Sequence, residues 1–365
     1  MKSVLVALYR YHYDYHAGIA EYALEQGWHL DAQMTVNQQL PDSWKGDGVI
    51  CSLVPGDSSD KIKALGLPAV SIGPSYVKMP SVITDGLASA QMIFDYFRSK
   101  GFVNFAFYQE YPTSMFEPVI SYKKLLEDNG FDLVDITPSV YHENWSKRSA
   151  VLCENLRKLK LPTAIFCTRD NGGSELVNVC FENGIQIPEQ ISLLGKQNET
   201  LICETLQTPL SSLDVNMKQL GYQAAAQLDR LMNGEEIEAV KLVKPSGVVE
   251  RKSTESIAVS NESVRNAVRF IRENYMRPLN IEEVADDCGM SVRSLQRLVL
   301  KHTGKTLKLI ILEMRMNEAR RLLKLTDFTV DYVSNRCGYP VSRNFYKAFK
   351  RSCGMTPDEF RKLNQ

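Results

Sequence analysis

Apolar and polar positions follow two different patterns along the first 254 residues. Short apolar runs alternate with longer segments whose apolar positions recur every third or fourth residue. The runs predict buried β-strands and the longer segments predict amphipathic helices. The predicted strands are residues 3–8, 48–52, 69–72, 82–84, 105–108, 133–136, 164–167, 192–194 and 211–214, and the predicted helices are 17–26, 87–100, 122–129, 146–158, 173–182 and 217–232.

This alternation predicts β-α-β units and parallel sheets. The units are too many for one comfortable sheet, and the series divides near residues 105–110. We therefore expect two similar α/β lobes that face a cleft. The alternation ends in small polar residues at 255–261, which we interpret as a linker between a domain of residues 1–254 and a domain of residues 262–365.

Beyond the linker every pattern is helical, and one short pattern occurs twice. In each copy an apolar stripe is followed by a small residue, a glycine and a second helix. The small residues and glycines are Ala285, Gly289, Ser334 and Gly338. Glycine permits the turn that ends the first helix, and the second helix starts near Ser291 or Ser342. The pattern predicts helix-turn-helix units at about 281–304 and 330–354, whose second helices enter the DNA major groove.

A longer helical stripe lies between the two units. Its apolar positions are Leu309, Leu312, Met316, Ala319 and Leu323. Such a helix would hold the two units in a fixed relation, which suits major grooves that recur about every 34 Å on one face of DNA.

Charge divides the chain at the same place. The whole chain has 43 Lys and Arg and 43 Asp and Glu, but residues 262–365 hold 20 of the basic and only 12 of the acidic residues. This asymmetry favours a basic nucleic-acid module joined to an acidic domain. Chance drift of charge between domains is the alternative, and charge alone does not decide between them.

The cysteines and the N-terminal residues suggest a compartment. The eight cysteines form no Cys-x-x-Cys pair and lie mostly in apolar runs, which favours reduced, buried thiols. The apolar run at 4–8 is too short for a signal peptide or a membrane span. We therefore expect a cytoplasmic protein with no metal, no cofactor and no membrane association.

The last hundred or so residues resemble the DNA-binding domain of the AraC/XylS regulators. Val299 stands where that family usually has Phe, and it keeps an apolar contact. The residues that carry the resemblance are Ile281, Ala285, Gly289, Ser291, Leu295, Arg297, Arg315, Ala319, Leu322, Leu323, Val333, Gly338, Phe345, Phe349, Lys350, Gly354, Thr356, Pro357 and Arg361.

The first domain is similar to the ligand-binding domain of the LacI/GalR regulators, which share the periplasmic sugar-binding fold. The similarity is carried by residues 83–85, 171–188, 191–195, 209–213 and 217–234. The fold expected from both resemblances is a two-lobed α/β sensor, like the periplasmic binding proteins, followed by an all-α domain with two helix-turn-helix units.

Exposed side chains of the two recognition helices are the candidates for reading DNA. Arg can bond guanine and Asn or Gln can bond adenine, and the same positions face DNA in the AraC family. The candidates are Arg293, Gln296, Arg297, Arg343, Asn344 and Lys347. A phosphate contact is at least as good an interpretation for Lys347, and Lys301, Lys350 and Arg351 suit the DNA backbone.

Ligand candidates follow from the rule that parallel sheets bind ligands beyond the carboxyl ends of their strands. Carboxylates, amides and Arg suit sugar hydroxyls, and a tyrosine ring suits the C–H face of a sugar. Four tyrosines lie between positions 9 and 15, and only one or two of them can face the cleft. Asp170 is the strongest candidate. The full set is Tyr9, Asp14, Asp85, Gln109, Arg169, Asp170, Gln197 and Asn198.

The resemblances imply a transcription regulator, an activator, whose partners are a double-stranded DNA operator, a sugar-like effector, a second copy in a homodimer and RNA polymerase. A ligand-independent regulator is the alternative, because Pro118 and Gln197 replace an Arg and an Asp usual in LacI-type sugar sensors. An enzyme is disfavoured by the absence of phosphate-loop, GxGxxG, GxSxG and HExxH motifs. A transport binding protein would need an export signal and would not carry the basic helical domain.

Overall fold

The computed structural model describes residues 1–9, 11–33, 44–52, 57–74, 79–110, 117–139, 144–255, 258 and 261–364. Its strands are β1 (Ser3–Leu8), β2 (His29–Asp31), β3 (Gly48–Ser52), β4 (Ala69–Ile72), β5 (Ser81–Thr84), β6 (Phe105–Tyr108), β7 (Leu133–Asp135), β8 (Thr163–Cys167), β9 (Ile191–Lys196), β10 (Ser211–Asp214), β11 (Val240–Val243) and β12 (Gly247–Val249). The helices of the same region are α1 (Tyr13–Gln26), α2 (Asp57–Ala64), α3 (Gly86–Ser99), α4 (Glu117–Asp128), α5 (Trp145–Arg157), α6 (Asp170–Glu182), α7 (Thr200–Cys203) and α8 (Met217–Met232), with a 3-10 turn at Lys252–Thr254.

Among the described residues the strands form two six-stranded sheets, one in each lobe. The sheet of lobe 1 has the order β11-β5-β4-β3-β1-β2 and is parallel, while that of lobe 2 has the order β12-β10-β9-β8-β6-β7, with β12 antiparallel. The central strands β1 and β8 are buried almost throughout, because helices cover both faces of each sheet. All nine predicted strands are present. The unpredicted ones, β2, β11 and β12, are edge strands with half-exposed residues, so they lack a continuous apolar run.

The described chain crosses between the lobes three times, at 84–86, 214–217 and 243–247. The predicted division near 105–110 is wrong, because α3 already belongs to lobe 2. Its Ile93 and Phe97 share a core with Phe105 of β6. Helix α8 then returns to lobe 1, where Leu220 packs in the same core as β1. The predicted two-lobed architecture is confirmed, but the lobes are interleaved along the chain.

The C-terminal part is entirely helical among its described residues. Its helices are α9 (Glu262–Asn274), α10 (Ile281–Asp287), α11 (Val292–Thr303), α12 (Leu307–Leu325), α13 (Val330–Arg336), α14 (Ser342–Cys353) and α15 (Pro357–Asn364). Helices α10 and α11 form the first helix-turn-helix unit, and α13 and α14 form the second. Among all the helices that the structure describes, none combines the length and the apolarity needed to cross a bilayer.

Helix α12 connects the two units by contributing to both of their cores. Ile310 and Met314 in its first half pack with α9 to α11, whereas Ala319 and Leu323 in its second half pack with α13 and α14. This dual burial corrects the single predicted stripe, in which Leu309 was a core position. Leu309 is exposed, because the buried side of the helix changes between its two halves.

Helices α1 and α8 pack closely in lobe 1 through two glycines. A Cβ atom at Gly18 would overlap the carbonyl oxygen of Lys218, and one at Gly221 would overlap that of Tyr15. The two backbones are therefore in contact. This contact fixes the start of α1, and with it Tyr15, relative to the hinge-side end of α8.

We expect Gly221→Ala to lower the free energy of unfolding by about 1–3 kcal/mol, because the added methyl group forces the two helices apart. Ala is the better helix former by about 1 kcal/mol, so a purely local effect would have the opposite sign. Urea unfolding measures the change. Lys218→Ala, at an exposed position of the same helix, is the control and should change the midpoint little. An unchanged midpoint for Gly221→Ala would mean that the helices separate freely.

Candidate ligand cleft and DNA-reading helices

A cavity of about 350 Å³ lies between the two lobes, at the carboxyl ends of their strands. Lobe 1 contributes the ends of β4 and β5, and lobe 2 contributes the ends of β8 and β9. Its polar or charged lining groups include Tyr15, Thr84, Asp85, Thr168, Arg169, Lys196 and Gln197, and its apolar groups include Ile83, Val119, Phe166, Val215, Leu220 and Leu242. Polar groups on strand ends above an apolar floor are typical of small-molecule sites in parallel sheets.

Asp85 occupies the first crossing between the lobes. Its side chain accepts a hydrogen bond from the backbone N–H of Ala88 at 2.9 Å and so caps α3. Its own backbone N–H donates to the carbonyl of Val243, at the third crossing. The carboxylate is therefore held at the hinge, with one oxygen in the cap and the side chain in the cleft lining.

Tyr15 and Arg169 lie on opposite lobes and influence each other electrostatically. Burial raises the pKa of Tyr15 to about 12, and the Arg169 guanidinium is the main effect that opposes this rise. Arg169 directly precedes α6, at the end of lobe 2 that lines the cavity. The phenol therefore stays protonated and can donate a hydrogen bond near a cationic group.

The structure brings three of the eight predicted ligand residues into the cleft lining, namely Asp85, Arg169 and Gln197. Tyr9, Asp14, Gln109, Asp170 and Asn198 are not among its described lining residues. Tyr9 and Asp14 are exposed, whereas Gln109 is buried and its backbone N–H donates to Thr137.

Asp170 is fully buried beneath the cleft rather than facing it. One carboxylate oxygen accepts a hydrogen bond from the Ser212 hydroxyl at 2.6 Å, and the other accepts from the backbone N–H of Glu199 at 2.8 Å. Any side chain at Gly195 would overlap this carboxylate. The geometry therefore contradicts a ligand role, because both oxygens are used to join α6 to the ends of β9 and β10.

Gln197 and Asn198 form a tight turn after β9, and both adopt left-handed backbone angles, with φ of 113° and 60°. The turn sends their side chains in different directions. Gln197 lines the cleft, whereas the Asn198 amide donates to Asp214 at 3.2 Å and its carbonyl oxygen accepts from Arg251 at 2.8 Å. Asn198 is therefore a structural residue behind the cleft, because the backbone conformation turns it away from the ligand side.

Sequence reasoning missed Tyr15, Thr168 and Lys196 as cleft residues. Thr168 and Lys196 lie on the same strand ends as the predicted Arg169 and Gln197, so the strand-end rule could have included them. Tyr15 belongs to the tyrosine-rich segment that was noticed, but only the packing of α1 decides which of its rings faces the cleft. Pro118, at the position where related sensors usually have Arg, does line the cavity.

The two recognition helices, α11 and α14, present matching surfaces. Leu295 and Val299 of α11 are buried, as are Phe345 and Phe349 of α14, so Val299 fills the core position of the usual Phe. The six predicted DNA-reading residues, Arg293, Gln296, Arg297, Arg343, Asn344 and Lys347, are all exposed, as are Lys301, Lys350 and Arg351.

Capping residues and turn glycines define the helix ends in the two helix-turn-helix units. Asn280 and Glu283 form a reciprocal capping box at the start of α10, and Ser291 caps α11. Gly289 and Gly338 have positive φ angles at the two turns. Ser342 is the first residue of α14 rather than its cap, since Val341 occupies the capping position.

Among the described residues no three His, Cys, Asp or Glu side chains are grouped so that they could hold a metal ion. All eight cysteines are free, and six of them are buried.

Asp170 should make stability fall as the pH rises from 3.8 to about 6. Burial raises its pKa to about 6 in the folded protein, so across this window the folded state keeps a proton that the unfolded state has lost. The stability of the wild type relative to Asp170→Asn should drop by roughly 1–3 kcal/mol between about pH 4 and about pH 7. Urea unfolding at both values measures this difference. A difference that increases with pH would mean that the site favours the ionised carboxylate.

Two known families match separate parts of this chain. Residues 94–254 match the family described as "Periplasmic binding protein-like domain", and residues 284–363 match the family described as "Helix-turn-helix domain". The first match covers most of lobe 2 together with α8, and the second covers both helix-turn-helix units.

Relatives with this combination of domains match almost the whole chain. The xylose operon regulatory protein of Escherichia coli (strain K12) is 28% identical over 363 residues, covering 95% of this chain and 93% of its own length. That of Haemophilus influenzae is 28% identical and covers 86% and 84%. The solved structure of the xylose-binding transcription activator xylR superposes with a TM-score of 0.78 at 26% identity, covering 100% of this chain and 98% of that one. The chain belongs to the AraC-type helix-turn-helix transcription regulators that carry a periplasmic-binding-protein-like sensor domain.

Proposed function

We propose that this regulator is controlled by a sugar or sugar derivative bound between its lobes, and that α11 and α14 read specific sites on double-stranded DNA. The observation that carries the proposal is the interlobe cavity, in which a carboxylate, a guanidinium and an amide surround an apolar floor. The names of the relatives mention xylose, so D-xylose is the first sugar to test.

The cleft offers complementary groups for a polyhydroxylated ligand. Asp85 can accept hydrogen bonds from vicinal hydroxyls, Arg169 can donate to ring or hydroxyl oxygens, and Gln197 can do both. Phe166 offers an apolar surface for the C–H face of a sugar ring. Because these groups lie on both lobes, a bound ligand would favour the closed arrangement over the open one.

DNA recognition in this proposal depends on the exposed faces of α11 and α14. Arg293, Arg297 and Arg343 suit guanine, whereas Gln296 and Asn344 suit adenine. Lys347 reads bases or contacts phosphate, and Lys301, Lys350 and Arg351 contact the backbone. The shared helix α12 supports this assignment, since it fixes the two units relative to each other.

The proposal extends to the partners and the setting of the protein. We expect a homodimer on paired half-sites, which follows the usual two-fold logic of operators, and an activating contact with RNA polymerase. The protein acts by binding rather than by catalysis, in the cytoplasm where the chromosome lies. A regulator whose sensor has lost its ligand is the second candidate, supported by Pro118 in the cavity lining.

The ligand proposal is tested by a thermal-shift screen of monosaccharides, sugar acids and polyols, beginning with D-xylose. A ligand at 100 times its Kd should add about 2.7 kcal/mol of stability. Asp85→Asn keeps a helix-capping residue but removes the carboxylate. The apparent affinity for the ligand, obtained from the thermal shift at increasing ligand concentrations, should therefore fall at least tenfold. Asp14→Asn, an exposed carboxylate outside the cleft, is the matched control. No stabilisation by any compound would favour the ligand-independent regulator instead.

The DNA proposal is tested with sites selected from a random-sequence pool. Arg297→Ala and Arg343→Ala should each cost roughly 1–3 kcal/mol on a selected site and relax specificity at one base pair. Lys324→Ala, on an exposed position of α12, is the control and should bind like the wild type. If an Arg variant loses as much affinity for random DNA as for the selected site, that arginine contacts phosphate and does not read a base.

A further inference from the structure

Lobe 2 is joined to the DNA-binding domain through partly buried ion pairs. Glu204, which ends α7 in the sensor, contacts Arg321 on α12, with 3.1 Å between a carboxylate oxygen and a guanidinium nitrogen. Glu189 of lobe 2 also pairs with Arg272 of α9. The helix that carries both helix-turn-helix cores is thus anchored directly to the sensor.

Glu204 connects two arginines that belong to different parts of the protein. Its second oxygen accepts a hydrogen bond from Arg251 at 2.5 Å. Arg321 in turn donates from Nε and Nη2 to the two carboxylate oxygens of Glu318, which leaves Nη1 for Glu204. Arginine and carboxylate therefore alternate from the end of the sensor to α12. We call Arg251, Glu204, Arg321 and Glu318 the row. A displacement of one member weakens the next ion pair, because it leaves a partly buried charge without its partner.

The same row reaches the ligand cleft at its other end. Arg251 is buried and donates to the side-chain oxygen of Asn198 at 2.8 Å, and it also donates to the carbonyl of Leu210. Asn198 directly follows Gln197, which lines the cavity. Both residues of this turn have left-handed backbone angles that cost energy outside glycine, and strained turns of this kind are common at switching sites.

We propose that Gln197 and Asn198 form a switch that transmits the state of the cleft to the DNA-binding domain through Arg251, Glu204 and Arg321. A ligand that contacts Gln197 shifts the turn, moves the Asn198 side chain away from Arg251 and weakens the hold of Glu204 on α12. The inference rests on the proposed function only in requiring a ligand in the cleft.

The first test needs no ligand and measures hydrogen–deuterium exchange across the interface in the full-length protein. Asn198→Gly removes the side chain but suits the left-handed backbone, and it should raise the exchange of α12 amides in the other domain. Arg321→Met should raise the exchange of α7 and of the 197–198 turn. Arg321→Lys should restore protection, because it keeps a charge within reach of Glu204. Lys324→Met, on the same helix, should match the wild type.

These exchange measurements separate transmission from local damage. A change confined to the domain that carries the substitution would overturn the proposal, as would a Lys324→Met protein that behaves like Arg321→Met. Exchange that rises across the interface in both variants supports the row of contacts whether or not a sugar binds.

The second test adds D-xylose as the probe and measures DNA affinity with and without it. Allosteric coupling typically changes affinity about 5- to 150-fold, and this ratio should fall to about one in Asn198→Gly and in Arg321→Met. D-xylose should still stabilise both variants in thermal shift. If the full ratio persists in either variant, the signal travels elsewhere. If D-xylose stabilises no form of the protein, D-xylose is not the effector, and the exchange test alone decides the switch.

Discussion

The three crossings between the lobes are the constraint on which the sensor depends. They lie side by side, since the backbone of Asp85 bonds that of Val243 and the backbone of Ser246 bonds that of Asp214. This bundle brings the carboxyl ends of both sheets to one place, so that strand-end side chains from two separate cores meet in a single cavity. It also leaves the lobes joined by short segments only, which is the arrangement that permits opening and closing.

In the DNA-binding domain, helix α12 alone fixes the two helix-turn-helix units relative to each other. Two small helical units could not keep a fixed spacing if each had a separate core on a flexible connection. Helix α12 buries its first half in one core and its second half in the other, so any rotation of one unit must be transmitted to the other. A contact on α12, such as the one from Glu204 to Arg321, therefore acts on both recognition helices together.

The site shows how a single turn can serve two purposes. Asp170 fixes the backbone beyond β9 from below, through Glu199, and Gly195 must remain without a side chain to admit its carboxylate. Of the two residues that precede Glu199, Gln197 lines the cleft, whereas Asn198 binds Arg251. A residue that lines the cleft and a residue that binds Arg251 are thereby adjacent in the chain.

The sequence by itself determined nine of the twelve described strands, the two helix-turn-helix units and the exposed faces of their second helices, because periodic burial leaves a local signal in the order of residues. It also named Asp85, Arg169 and Gln197, since the strand-end rule needs only the strand bounds. Only the tertiary structure decided the crossings, the edge strands β2, β11 and β12 and the true place of Asp170. The same holds for Tyr15 and for the contact from Glu204 to Arg321, because these depend on which distant segments pack together, and that information lies in no single stretch of the chain.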